Sequence, residues 1–597
     1  MKKGNKVYRC FLMLVIVVGG FAIGRSVPAK PGFLRMVQPD GTEILIRLEG
    51  DEYAHLVFDM GGNLLELNKD GYYVRSDRNI GEACEQLTKI RQSKLKRHHY
   101  SGRRGRPGLL SYANFPTFGE HRSLVVLVEF PNRKFSQTDA NDFYTRMMNE
   151  SGFADLGATG CAREYLVNNS RGQFLPQFDV VGPVMLPQNY QYYGENINKV
   201  DPVTGLQYLD DAHPAEMILD ACQSLYHQGF DFSPYDCNDD GEIDNIYLFY
   251  AGYGEADGGN PATVWPHSGN LLDSDYDSSL LKYGELMLNH YACSNELKTG
   301  SGIPDGFGTF VHEFSHVMGL PDMYPMNGGT CVSPDNWDVM DTGCYLNEGK
   351  TPPNYSAFEL YALGWIEPEE LRSPGTYSLP PLHEDDGKAY IVYRSDREMR
   401  PDEFFIFENR QQTGQDRFLP GHGMLVWHID FDQDVWDSNG VNSDPEHSYV
   451  RIVEADNKQG HYEIVEQPGR PPTLEYNTEN EGDPFPGTTG NTQFTATSVP
   501  AFVDWSGKST AIGLINISEQ PDGMINFSVV ENGSDSVDPR VGVAFGPNVC
   551  GRKVSIEYGE AKVFSLTGQY VTTLSQNPIS LAPGVYILPG YGLLVIR

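Results

Sequence analysis

Basic charge is scarce in this 597-residue chain, where 45 Lys and Arg face 80 Asp and Glu for a formal net charge of -35 at pH 7. A surface of that sign repels a phosphate backbone before contact, which excludes nucleic acid as a partner and suits cations such as calcium. Long apolar runs are lacking too. The run from Phe11 to Gly24 falls short of the roughly 18 to 20 residues a membrane span needs. It follows Lys2, Lys3, Lys6 and Arg9 and precedes Val27 and Ala29, so residues 1–29 read as a secretory signal peptide cut after Ala29, and no stable membrane span is expected in the mature chain. No cysteine follows the run where a lipid anchor would require one. Of nine cysteines, Cys10 leaves with the signal and eight remain. An even number in an oxidising compartment permits disulfides without fixing their pairing. No repeat of fixed period is present, and no low-complexity tract beyond one basic segment.

The length calls for about three or four units at roughly one domain per 150 residues. Gln38 to Asp77 reads as short alternating strands separated by DG, GD and GG turns. The basic tract "KLKRHHYSGRRGRPG", Lys94 to Gly108, reads as an exposed linker where a trypsin-like protease would separate a leader module, residues 30–115, from the rest. "RSLVVLVEFPNRKF" opens a mixed region of buried strands and amphipathic helices, an α+β or α/β layer. After Pro368 helical periodicity is missing, and "AYIVYRS", "EFFIFENRQ", "GMLVWHIDF" and "YVRIVEAD" read as strands of a β-sandwich over 369–531. A linker, "VENGSDSVDPRVG", leads into a small β-rich tail at 541–597.

One stretch carries chemistry. In "TFVHEFSHVMGLPDMYP", Thr309 to Pro325, His312 and His316 stand four residues apart and therefore on one helix face. Two imidazoles so placed can ligate one zinc ion and leave Glu313 beside it. Gly319 can end the helix with a positive φ and return the chain so that Asp322 becomes the third ligand. By chance alone an H-E-x-x-H occurs in such a chain with a probability of about 2 in 100.

"HEFSHVMGLPDMY" followed by "NWDVMDTG" resembles the metzincin zinc peptidases, with their H-E-x-x-H-x-x-G-x-x-H/D motif and methionine turn. Within that clan the chain is most similar to the secreted bacterial metalloproteases of the immune inhibitor A family. "AGYGEADGG", "VWPHS", "SAFELYALGWI", "EFFIFENRQ", "LPGHGMLVWHID" and "DPFPG" also fit that family, so the resemblance covers roughly Pro116 to Val530. It implies a multidomain α+β protein: β-rich propeptide, metzincin-like α/β zinc peptidase domain at 116–368, β-sandwich and β-sandwich tail. It implies His312, His316 and Asp322 as zinc ligands, Glu313 as general base for a zinc-activated water, and Met340 as an apolar floor under the metal, with Gly319 at the helix end. The expected reaction is endoproteolysis of proteins or peptides. One departure stands out: many metzincins carry a tyrosine two residues after the methionine, and this chain has Thr342. The residue that stabilises the oxyanion is thereby left open.

"DCNDDGEID" offers Asp236, Asn238, Asp240 and Asp244 around Gly241 at EF-hand-like positions, with Tyr247 where the last glutamate should stand. It is expected to bind calcium in a partial, structural site, a plain acidic turn being the alternative. Cys331 and Cys344 bracket the methionine turn, where either a disulfide or two buried thiols would fit. His428, on an expected strand, reads as a core histidine. A leader group, either a carboxylate or the Cys84 thiolate, is expected to reach the metal and keep the precursor latent. The tail "SLTGQ…GVYIL…VIR" resembles the sorting domain of type IX secretion in Bacteroidetes. That resemblance implies the type IX machinery as a partner and a secreted or cell-surface location in a Gram-negative bacterium. Other readings of the chain are a silent adhesin or carbohydrate-binding protein on a protease-like fold, and a metallohydrolase of non-peptide bonds.

Overall fold

The computed structural model describes residues 25–94, 115–325 and 332–532, apart from 52–53, 202–203, 274–275, 277, 395–401, 445–446 and 466–472, together with the strands between 548 and 596. The expected signal run, most of the basic tract and Cys331 lie outside the described residues. Residues 1–532 form one compact unit and 533–597 a second. No helix among the described residues is long and apolar enough to cross a membrane.

The leader builds an antiparallel meander of five strands, Leu34–Val37, Glu43–Asp51, Ala54–Asp59, Leu64–Leu67 and Tyr73–Arg75. A helix the turn pattern did not announce, Ile80–Lys94, packs its Ala83, Leu87 and Ile90 against Ala54, Leu56, Phe58 and Leu64.

The site is organised by a six-stranded sheet of β1 (Arg25–Ser26), β2 (Gly119–Glu129), β3 (Phe174–Met185), β4 (Ile246–Tyr253), β5 (His267–Asn270) and β6 (His290–Leu297), in the order β1-β5-β6-β4-β2-β3. The pairs β6–β4, β4–β2 and β2–β3 are parallel, while β5 runs antiparallel to β6 and β1 antiparallel to β5. Both faces are covered, which is why "SLVVLV" reads as a continuous apolar run. Leu124, Val126 and Val128 face a core shared with Met217, Ile218 and Leu225 of the helix Pro214–His227. Val125 and Leu127 face the opposite core with Phe310 and Phe314 of α1 (Gly308–Val317).

Beyond a short helix α2 (Ala357–Leu363), strands β7 (Glu403–Arg410) and β8 (Gly423–Asp430) centre a five-stranded sheet. Along β7, Phe404 and Ile406 join the core of the site region while Phe405 and Phe407 face a three-stranded sheet of Gly375–Leu379, Ile512–Glu519 and Ile525–Glu531. The β-rich half therefore shares one of its two apolar layers with the zinc-motif region. His428 is a core residue here: it bonds Glu403 Oε1 at 3.0 Å and stacks on Phe405 at 4.2 Å. The tail holds a four-stranded antiparallel sheet of Ala561–Ser565, Tyr570–Leu574, Gly584–Leu588 and Gly592–Ile596.

Candidate metal centre and cleft

Helix α1 is buried along its whole length, and its turn-to-turn stacking brings the rings of His312 and His316 to 4.8 Å, edge to face. The helix stops at Met318, and Gly319 follows with φ +103°, a conformation that costs glycine nothing and turns the chain back. Asp322 consequently lies with Oδ1 3.1 Å from His312 Nε2 and 3.2 Å from His316 Nε2. The three ligand atoms fall within 4.8 Å of one another, and among the described residues this is the group of titratable side chains that could hold a metal ion.

The supporting contacts suit a cation. His312 Nδ1 lies 2.8 Å from Val339 O and His316 Nδ1 2.8 Å from Leu320 O. Donation of Nδ1–H to those carbonyls fixes the tautomer that turns both Nε2 lone pairs inward. Val339 precedes Met340, so the turn expected to floor the site also orients His312. Met340 is fully buried and its carbonyl accepts from Met323 N at 2.9 Å. Burial works to raise the Asp322 carboxyl, but His316 and His312 outweigh it and hold it well below the usual range. Two imidazoles and one carboxylate in a buried cluster are a donor set that fits zinc.

Glu313 sits beside this cluster, fully buried. Burial pushes its carboxyl well above the usual range, against His312 and the bonds from Val27 and Ser268, with Asp322 adding to the rise. Its Oε1 accepts from the backbone N of Val27 at 2.9 Å. That contact comes from the segment 25–30, which spans the expected signal-peptide boundary. β1 lies along the edge strand β5, with Arg25 opposite Ser268 and Ser26 opposite His267. Val27 O accepts from Trp265 Nε1 at 3.2 Å, Pro28 O from Tyr345 Oη at 2.7 Å, and Lys30 Nζ meets Asp257 Oδ1 at 2.8 Å. Cys84 packs instead in the leader's own core on the helix Ile80–Lys94, where burial raises its thiol. Cys84 thus does not reach the site, and the group that meets Glu313 is the backbone amide of Val27, inside the stretch 1–29 expected from the sequence to be the signal peptide.

Several site residues had no signal in the sequence. Asn439, in the β-rich half, donates from Nδ2 to Asp322 Oδ2 at 2.5 Å and accepts from Asp322 N at 2.7 Å. Trp436 Nε1 donates to Gly319 O at 3.0 Å. Thr342 turns away, its hydroxyl bonding Asn336 Oδ1 at 3.2 Å, while Tyr345 three residues on faces the cleft. Cys344 is buried beside His312 with its thiol unbridged.

The acidic loop closes on itself. Asp236 accepts from Asp240 N at 3.0 Å and Gly241 N at 3.0 Å, Asn238 Nδ2 donates to Asp244 Oδ1 at 3.2 Å, and Gly241 takes φ +88°. Asp240 Oδ1 accepts from Glu242 N at 2.9 Å. Burial raises Asp244 to about 6.

Residues 117–366 match the catalytic-domain model of the immune inhibitor A peptidases, family M6. Over that stretch, which holds the His312, His316 and Asp322 cluster, the chain is similar to the catalytic domain of the immune inhibitor A peptidases. It is 24% identical over 296 residues to the pre-pro-metalloprotease PrtV of Vibrio cholerae serotype O1, covering 42% of this chain and 31% of that protein. It is 25% identical over 273 residues to immune inhibitor A of Bacillus thuringiensis subsp. alesti, covering 39% of this chain and 38% of the relative. The chain thus spans about a third of the length of these curated relatives. The match begins at Thr117, after the leader, and ends at Ile366, just beyond α2, leaving Asn439 and Trp436 outside it.

Proposed function

We propose that this chain is a secreted zinc endopeptidase made as a latent precursor. His312, His316 and Asp322 would hold the zinc, which when bound polarises the scissile carbonyl and lowers the pKa of water. Glu313 takes a proton from that water and delivers it to the leaving amine, the role its place next to His312 and beside the three candidate ligands suits. The observation that carries this reading is that Glu313 already receives an amide N–H from a peptide strand lying on the edge of the sheet. A silent adhesin would have no chemical need for a glutamate held there.

The leader segment 25–30 covers the cleft, which favours latency until the leader is released by cleavage in the basic tract. For that segment to remain with the precursor, the signal must be cut after Gly24, with small Ala22 and Gly24 at the cut, and not after Ala29. The "pre-pro" in one relative's name agrees with export and processing. The tail's likeness to a type IX sorting domain supports that route to a Gram-negative cell surface or beyond. The loop at Asp236, Asn238, Asp240 and Asp244 is proposed as a structural calcium site.

The test is casein hydrolysis with and without chelator. Glu313→Ala is expected to keep its metal and fold while losing at least 10² to 10⁴-fold in rate. Hydrolysis at the parent's rate by that variant would refute the mechanism.

A further inference from the structure

The leader strand lies in the cleft as a substrate would, and its register identifies which side chains read the substrate. In peptide hydrolysis the hydroxyl of water joins the carbonyl carbon, the C–N bond breaks, and the proton carried by the general base goes to the departing nitrogen. The amide nitrogen resting on Glu313 therefore marks the departing position, and that nitrogen is Val27 N at 2.9 Å. The Ser26–Val27 bond occupies the place of the bond to be cut, with Arg25 and Ser26 paired along β5 on the acyl side. Val27 to Lys30 then occupy the first four positions on the leaving side.

Three side chains serve that half. Trp265 Nε1 donates to the first carbonyl and Tyr345 Oη to the second, at 3.2 and 2.7 Å. At the fourth residue Asp257 pairs with Lys30 Nζ at 2.8 Å, while Lys30 N donates to Ala256 O at 2.9 Å. Asp257 is 4% exposed and is fixed from behind, its Oδ2 accepting from Thr299 N at 2.9 Å. The Tyr345 ring is fixed too, with Lys298 Nζ 5.6 Å from its centroid. Asp257 already shares its charge with buried Lys298, and Lys30 is the second cation beside it, a place where a buried carboxylate favours a cation over a neutral side chain.

Taking the peptidase reading above as its basis, we propose that Trp265 and Tyr345 anchor the first two substrate carbonyls after the cut, and that Asp257 selects Lys or Arg at the fourth residue after it. The preferred substrates are proteins carrying a basic residue at that place.

The experiment uses the secreted, casein-active protein and a peptide of residues 24–33, Gly-Arg-Ser-Val-Pro-Ala-Lys-Pro-Gly-Phe. Mass spectrometry should find a single cut between Ser26 and Val27 by the active protein, and calorimetry on its Glu313→Ala form, which should not turn the peptide over, should find binding weakened about tenfold by Lys30→Ala in the peptide. Asp257→Asn, which keeps an oxygen for Thr299, should weaken the parent peptide to the same degree and leave the Lys30→Ala peptide unaffected. Tyr345→Phe should weaken both peptides alike, with metal content and circular dichroism unchanged. A cut at any other bond, no binding, or effects of Asp257→Asn and Lys30→Ala that multiply independently would overturn the assignment. Since affinity is read on the Glu313→Ala form and cutting on the parent, coupled binding alongside a parent that cuts neither casein nor the peptide would count against the peptidase reading and leave the contacts standing.

Discussion

Asp322 divides its two oxygens between duties: Oδ1 faces the two imidazoles at 3.1 and 3.2 Å, and Oδ2 accepts from Asn439 at 2.5 Å. Removing the first duty removes a ligand, so Asp322→Ala is expected to lose stoichiometric zinc, read by atomic emission. Removing only the second leaves the ligand in place but free to rotate. Outer-shell partners of this kind are worth about 10 to 100-fold in metal affinity. Asn439→Ala should therefore retain zinc at saturating metal and release it 10 to 100-fold more readily to a competing chelator. Full zinc retention by Asp322→Ala would put the third ligand elsewhere, and an unchanged chelator midpoint for Asn439→Ala would make that contact incidental. The histidine pair and Asp322 were legible because helix geometry and one glycine suffice to bring them together. Asn439 was not, since it lies 117 residues beyond Asp322 in sequence and only the packing of the β-rich half on the zinc-motif region joins them. Tyr345 was hidden for a related reason: its ring is aimed by a kinked 3₁₀ stretch, Thr342–Gly349, in which Asn347 and Glu348 take positive φ, and no periodicity foretells that.

At the scale of single elements, two acidic stretches differ in what they ask of the fold. In the loop Asp236 to Asp244 the carboxylates of Asp236 and Asp244 are held by backbone donors, and the charges of Asp240 and Asp236 add to burial in raising Asp244, a repulsion that a cation would relieve. Binding that is confined to the native state stabilises by RT ln(1 + [L]/Kd), about 2.7 kcal/mol at a hundredfold excess over Kd. The thermal midpoint should rise with calcium in the parent and fail to do so in Asp240→Ala, measured by calorimetry. An equal rise in both would exclude this loop. The Met340 turn rests on a different device: Trp337 Nε1 donates to Asp483 Oδ2 at 2.8 Å. Burial raises the Asp483 carboxyl to about 9, with Glu454, Asp456 and Asp335 adding to the rise against the Trp337 bond. An acid whose pKa is higher folded than unfolded binds more protons in the folded state. Its contribution to stability therefore falls as pH rises from about 4 to about 9, by at most about 1.4 kcal/mol per pH unit. Asp483→Asn keeps the acceptor for Trp337 and removes the titration. Its midpoint should exceed the parent's by a margin that widens from pH 5 to pH 8, and a constant margin would show that Asp483 is ionised throughout. The strands of this half were readable from their apolar runs; the sharing of one face of the five-stranded sheet with the zinc-motif region was not, because both faces of β7 and β8 are equally apolar.

For the whole molecule the question is what removes the leader. Its hold on the cleft is distributed: Val27 on Glu313, Pro28 on Tyr345, Lys30 on Asp257, Lys30 N on Ala256 O at 2.9 Å, and His55 stacked on Trp265 at 5.0 Å. Apart from the Lys30 and His55 side chains, these contacts are backbone groups or ring packing, so no single side-chain change in the leader should free the site fully. Lys30→Glu, which sets like charges against each other at Asp257, is the most disruptive single change available. The precursor is expected to begin at Arg25 on N-terminal sequencing, to be nearly inactive on casein, and to gain activity on cleavage within Lys94 to Arg106. Glutamine at every basic residue of that tract should hold it latent. Lys30→Glu added to that uncleavable form should restore part of the activity without any cut. A precursor starting at Lys30 would have lost the strand on which latency is built, and full activity of the uncleaved form would make the leader a folding module and not an inhibitor.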